Sequence, residues 1–208
     1  MDTVTENKDN SVVESLLNSN EKFSNEFVEK LVSDKEECQK FIDDLKVFKS
    51  NHKPNDLIFS DPDDLVAIDE KDYETVKVTA SSIITALNEF RIQSRLAVLS
   101  EKKRLLYIIR EEELLTTINK LQERITEFDK FVEENGEESA MREYSNAQLN
   151  DLTMIRSQSI PMYLVELETL SSAVADNETN FATSTEKSFS FASGIIKFLE
   201  SKINGSEG

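Results

Sequence analysis

The chain has 208 residues, 38% hydrophobic and 31% charged, and its 24 basic and 41 acidic side chains leave a net charge of −17. That apolar fraction is too high for a solvated tail, and so acidic a surface repels phosphate backbones, so no direct nucleic-acid binding is expected. One cysteine and one histidine exclude an internal disulfide and a cysteine-rich zinc site.

Glycine and proline punctuate turns, and here there are only 4 and 3 of them. Few turns mean long helices. The fold class expected is all-α: an elongated long-helix hairpin or coiled-coil bundle. The charge is uneven. Residues 1–70 hold 18 acids and 8 bases (−10), residues 71–134 hold 12 and 11 (−1), and residues 135–208 hold 11 and 5 (−6).

Residues 1–11 are polar and read as a flexible N-terminus. A first helix is predicted over 12–50. Alternating steps of four and three from Val13 reach Leu17, Asn20, Ser24, Phe27, Leu31, Asp34, Cys38, Phe41, Leu45 and Phe48. Eight of these eleven are apolar, which makes a helical stripe of the coiled-coil kind. Pro54 and the turn formers around it predict a loop over 51–61.

The stretch "SDPDDLVAIDEKD" follows, from Ser60 to Asp72. Its opening aspartates suggest a calcium loop, but Leu65 and Val66 stand where an oxygen ligand and a sharp-turning glycine are needed. As a helix start it is coherent: Asp61 caps, Pro62 takes the first turn, and Asp63 and Asp64 face the positive end of the helix dipole.

A long central helix is therefore predicted over 62–135. Its early seam is Tyr73, Val76, Ala80, Ile83, Leu87 and Phe90; its late seam is Leu114, Ile118, Leu121, Ile125, Phe128 and Val132. The two seams read as out of register, implying a skip in the middle or a stretch gripped by several helices. Gly136 suits the residue just past a helix end. C-terminal helices are predicted over 138–203, kinked or broken near Pro161, with a flexible tail at 204–208. From Tyr163 the four-three stepping returns through Leu167, Leu170, Val174, Asn177, Phe181, Ser184, Ser188, Phe191, Ile195 and Phe198.

Chemistry is sparse. His52 lies in a turn beside Lys53, with no second histidine to help it hold a metal. Cys38 falls on the seam and reads as a small buried hydrophobe. No Gly-rich phosphate loop, nucleophile elbow or zinc-protease motif is present. No catalytic residue, metal ligand set or cofactor is expected, and the chain reads as a non-enzyme.

What remains points to partners. Seam residues Phe27, Leu31, Phe41, Leu45, Phe48, Leu114, Ile118, Leu121, Ile125, Phe128, Leu167, Leu170, Val174, Phe191, Ile195 and Phe198 are the candidate partner interface. Lys102, Lys103 and Arg104, with Arg91, Arg95 and Arg110 nearby, form the one basic cluster. It is either an electrostatic contact for an acidic partner or peripheral membrane, or an internal counterpart to the acidic first helix. The hydroxyl-rich run Thr183–Ser193 reads first as small polar residues on a helix; as the alternative, phosphorylation there would put a charge at Ser184 or Ser188 on the seam and disrupt packing.

No bilayer-spanning run and no secretory leader is visible, so an intracellular protein of nucleus or cytoplasm is expected. The function expected is a coiled-coil scaffold subunit of a eukaryotic multi-protein hetero-oligomer. By architectural analogy alone, a kinetochore or other cytoskeleton-linked complex leads. A vesicle or organelle tethering subunit is the alternative.

Overall fold

The computed structural model describes residues 12–20, 23–51 and 73–205. Among them there are helices and no strand, so the chain is an all-α bundle. Of the loop predicted over 51–61, Asn51 instead ends a helix; the rest of it, with His52, and the acidic stretch to Asp72 lie outside the described residues. The chain divides into two compact units: one built from Met1–Leu99 with Asn180–Gly208, the other from Ser100–Thr179.

In the first unit the predicted single helix over 12–50 is three: α1 (Val12–Asn18), α2 (Asn25–Ser33) and α3 (Lys35–Asn51). The breaks fall at the three polar stations of the stripe. Ser24 caps α2, its hydroxyl accepting from the Phe27 N–H at 3.2 Å. Asp34 caps α3, its Oδ1 accepting from Glu36 N–H at 3.0 Å and Glu37 N–H at 3.1 Å. Asn20 lies just beyond the end of α1 and is exposed. Short polar side chains compete with helical backbone bonds, so these positions end helices instead of setting a register.

The three short helices pack on the first turns of α4 (Ile83–Asn135) and the last turns of α7 (Ile160–Asn204). Their shared core includes Cys38, Ile42, Leu45, Ala192, Ile195 and Leu199, all with no exposed surface. Each large side chain so buried contributes roughly 1.5–3 kcal/mol. Phe48 meets Phe90 edge-on at 5.1 Å between ring centroids.

The central helix begins at Ile83, not near residue 62. Tyr73–Thr79 is non-helical and lies along α7 as a strap. The Val76 N–H donates to the Ser190 hydroxyl at 3.1 Å, and that hydroxyl donates to the Glu74 carbonyl. Four of the five residues Thr75–Thr79 are β-branched, and such side chains favour extended over helical backbone. The approach is close enough to demand Gly194: a Cβ there would lie 2.1 Å from the Val76 carbonyl oxygen.

In the second unit α4 runs on to Asn135, and α5 (Glu137–Glu143) and α6 (Asn146–Met154) follow. Gly136 joins α4 to α5 at φ 82°, ψ 159°, a conformation open mainly to glycine. Ser145 and Gln148 close a reciprocal capping box at the start of α6. Contacts between the two arms are antiparallel: Arg110 reaches Glu166, Ser171 reaches Glu111, and Arg124 reaches Asp151.

Pro161 does not break the chain's helical course. A π-turn over Ile155–Ser159 leads from α6 into α7, with the Ile160 N–H donating to Ile155 O, five residues back. One wide turn just ahead of the proline accommodates its missing donor and the bulk of its ring.

Candidate functional site

Burial along α4 and α7 decides which faces are available. On α4 one seven-residue register persists: Phe90, Ala97, Arg104, Glu111, Ile118, Ile125 and Val132 are each buried or half-buried. The same holds for the second set, Gln93, Ser100, Tyr107, Leu114, Leu121 and Phe128. Early in α4 a further series, Leu87, Ser94 and Glu101, is buried as well, so the buried face is wider there and narrows toward Leu114, as the packing of one stretch on several sides would have it. One series is continuous, and its middle is polar. On α7 all eleven positions from Tyr163 to Phe198 in the four-three stepping are buried or half-buried.

The predicted interface seam is thus largely covered within the chain. Leu31, Phe41, Leu45, Phe48, Leu114, Ile118 and Ile195 are buried. Phe27, Leu121, Ile125, Phe128, Leu167, Leu170, Val174, Phe191 and Phe198 are half-buried.

The basic cluster divides. Arg104 is buried and forms a two-pronged bond with Glu101: Nε to Oε2 at 2.8 Å and Nη2 to Oε1 at 2.9 Å. That hydrogen bond, with the charge of Glu178 nearby, holds the guanidinium further above its usual pKa. Arg104 is therefore not a surface contact.

Arg91 and Arg95 close the C-terminal end of α1. The Arg91 Nη1 donates to Ser19 O at 3.1 Å, Arg95 Nε to Leu17 O at 2.7 Å, and Arg95 Nη2 to Ser19 O. Cations suit the negative end of a helix. Arg110 bridges Glu113 and Glu166. Of the cluster, Lys102 and Lys103 stay exposed.

Apart from the exposed Thr183, the hydroxyls of the run are also internal. Ser188 is 2% exposed, and its Oγ lies 2.6 Å from the Ser94 Oγ across the first unit. Ser193 accepts from Lys49 Nζ at 2.8 Å and lies 3.3 Å from the Tyr73 hydroxyl. Ser190 holds the strap. These serines let backbone and side chains approach α7 closely, and kinase access to Ser184 or Ser188 would require opening the unit.

Among the described residues no group of three or more histidine, cysteine or acidic side chains could hold a metal. No described helix is long and apolar enough to cross a membrane. Cys38 is fully buried, and desolvation pushes its thiol up from the usual range, so it stays protonated and unreactive.

The second unit carries the largest outward apolar features. Leu105, Leu106 and Ile109 on α4 are 46%, 66% and 53% exposed, and Met162, Leu164 and Val165 on α7 are 58%, 47% and 64% exposed. Sequence reading found apolar residues on several faces of this stretch. It could not say which face the chain would cover for itself. In the first unit Val47, Ile92, Leu96, Val98 and Leu99 are the comparable exposed residues.

No protein-family model matches the chain, and neither a curated protein nor a solved structure matches it.

Proposed function

We propose that the chain is a non-enzymatic helical scaffold subunit of a multi-protein assembly. The supporting observation is the second unit's pair of antiparallel arms with large apolar side chains facing outward on both. A two-helix layer can bury one face of each helix; contiguous outward apolar surface marks a docking surface for other helices. Kinetochore and other cytoskeleton-linked complexes are the proposed class of assembly, and other long-helix subunits are the proposed partners.

Affinity purification of the full chain, with mass spectrometry of what co-purifies, tests this. A scaffold returns the same subunits at fixed stoichiometry and loses them on Val165→Lys. A chain that returns no stoichiometric partner, or keeps its partners when Leu106 and Val165 are both lysine, refutes the reading.

The exposed pair Lys102 and Lys103 supports a second reading, a tethering subunit held peripherally at an anionic membrane. That reading requires the protein to follow a membrane fraction and to leave it on K102E/K103E. Arg104 is omitted from the variant because it is buried against Glu101.

A further inference from the structure

We propose that the outward face of α4 between Lys102 and Glu113 pairs with the same face of a second copy of this chain, antiparallel across a two-fold axis. The inference rests on the scaffold reading, in which outward apolar side chains are docking surfaces, and it names the occupant of one of them.

The face is a single helical stripe. Lys102, Leu105, Leu106, Ile109, Glu112 and Glu113 follow spacings of three and four, opposite the buried seam at Arg104, Glu111 and Ile118. All six are exposed, and all lie in the second unit.

Their order is what selects the partner. Cations stand at the N-terminal end (Lys102, with Lys103 at its edge), apolar side chains in the middle, and anions at the C-terminal end (Glu112, Glu113). A parallel copy would set lysines against lysines and glutamates against glutamates. An antiparallel copy, with the axis between Leu106 and Ile109, sets Leu106 against Ile109 of the other copy. The same axis sets Lys102 against the other copy's Glu113, which Arg110 of its own chain also contacts; Lys103 and Glu112 add charge of the same sign at either end.

An isologous contact requires this self-complementarity: if residue i meets j, then j meets i. The two charged clusters on each helix lie roughly 16 Å apart along the axis, so both ends of the stripe close at once around the apolar centre. Charge order of this kind fixes orientation and rejects the parallel alternative.

The test is sedimentation equilibrium of the full chain from about 1 to 100 μM, with two charge-reversal variants. K102E/K103E makes the stripe acidic at both ends, and E112K/E113K makes it basic at both ends. The expected result is a dimer for the unaltered chain and dimerisation weakened by about tenfold or more in each variant alone. An equimolar mixture of the two should restore it, as should the chain carrying all four reversals. All four positions are exposed, and a far-UV circular dichroism melt on each variant confirms an intact fold.

A chain that stays monomeric throughout that range overturns the proposal, as does a mixture that fails to restore association. The scaffold reading is separable: a monomer that still captures subunits in a Val165-dependent way removes self-pairing and leaves the scaffold. A monomer that captures none removes both.

Discussion

Replacing Gly194 with alanine tests the strap. The added Cβ would stand 2.1 Å from the Val76 carbonyl oxygen and 2.8 Å from Val78 Cγ2. The nearer atom belongs to the backbone, so no rotamer change relieves the overlap and the strap must lift. Lifting removes the Val76 N–H bond to Ser190, worth about 1 kcal/mol, and overpacking costs about 1–3 kcal/mol. Against this, alanine is the better helix former by about 1 kcal/mol. The net expectation is a loss of about 1–3 kcal/mol from the first unit. Urea unfolding gives the stability, and hydrogen exchange at the Val76 amide reports whether the strap has lifted. Gly205→Ala is the control, with nothing within 4 Å of the new carbon. An unchanged or raised midpoint with the Val76 amide still protected would refute the close approach and the role of the glycine.

Gly136→Ala should cost about 1–3 kcal/mol through backbone strain alone, because no atom lies within 4 Å; thermal melts measure it. Ser188→Glu buries a carboxylate where 2% of the residue is exposed and should unfold the first unit at room temperature. Ser188→Ala, losing one hydrogen bond, should cost only about 1 kcal/mol, and near-ultraviolet circular dichroism separates the two outcomes. Arg104→Met leaves Glu101 buried without its partner and should cost about 3 kcal/mol. E101M/R104M should recover most of that in the same urea titration. Cys38 should react with a thiol reagent at the opening rate of the first unit, so labelling accelerated by Gly194→Ala but not by Gly136→Ala would place each effect in its own unit.

The four-three stepping of α7 is legible in the sequence from Tyr163 to Phe198 because burial there follows the helical period throughout. The first helix shows the limit of the same method. Asn20, Ser24 and Asp34 fit the stripe by number, yet Ser24 and Asp34 bond backbone amides and cap helices, and Asn20 lies past the end of α1. The strap carried its own signal, a β-branched run from Thr75 to Thr79, overridden by apolar residues that also suited a helical stripe. The middle of α4 hides its register because Ser100, Glu101, Arg104 and Glu111 occupy inward positions without the apolar side chains that mark a seam in sequence. The basic cluster could not be resolved from composition: whether an arginine faces solvent or a helix end depends on where α1 stops. The outward stripe was visible only as apolar residues on several faces until burial assigned the seam.

The first unit is discontinuous in the chain, its two parts separated by the whole of residues 100–179. Closing a flexible loop of that length would cost about 4 kcal/mol of chain entropy. The antiparallel arms lower that cost: as they form, residues near Ser100 and Thr179 come to the same end, where Glu178 lies within electrostatic range of Arg104. On a ribosome the order is then imposed. The hairpin can fold as soon as it emerges, while α1–α3 must wait for Ile195 and Leu199, which are made after it. Until then the part of that core closed by Ala192, Ile195 and Leu199 stays open, and a nascent chain stalled before Asn180 would present it to chaperones.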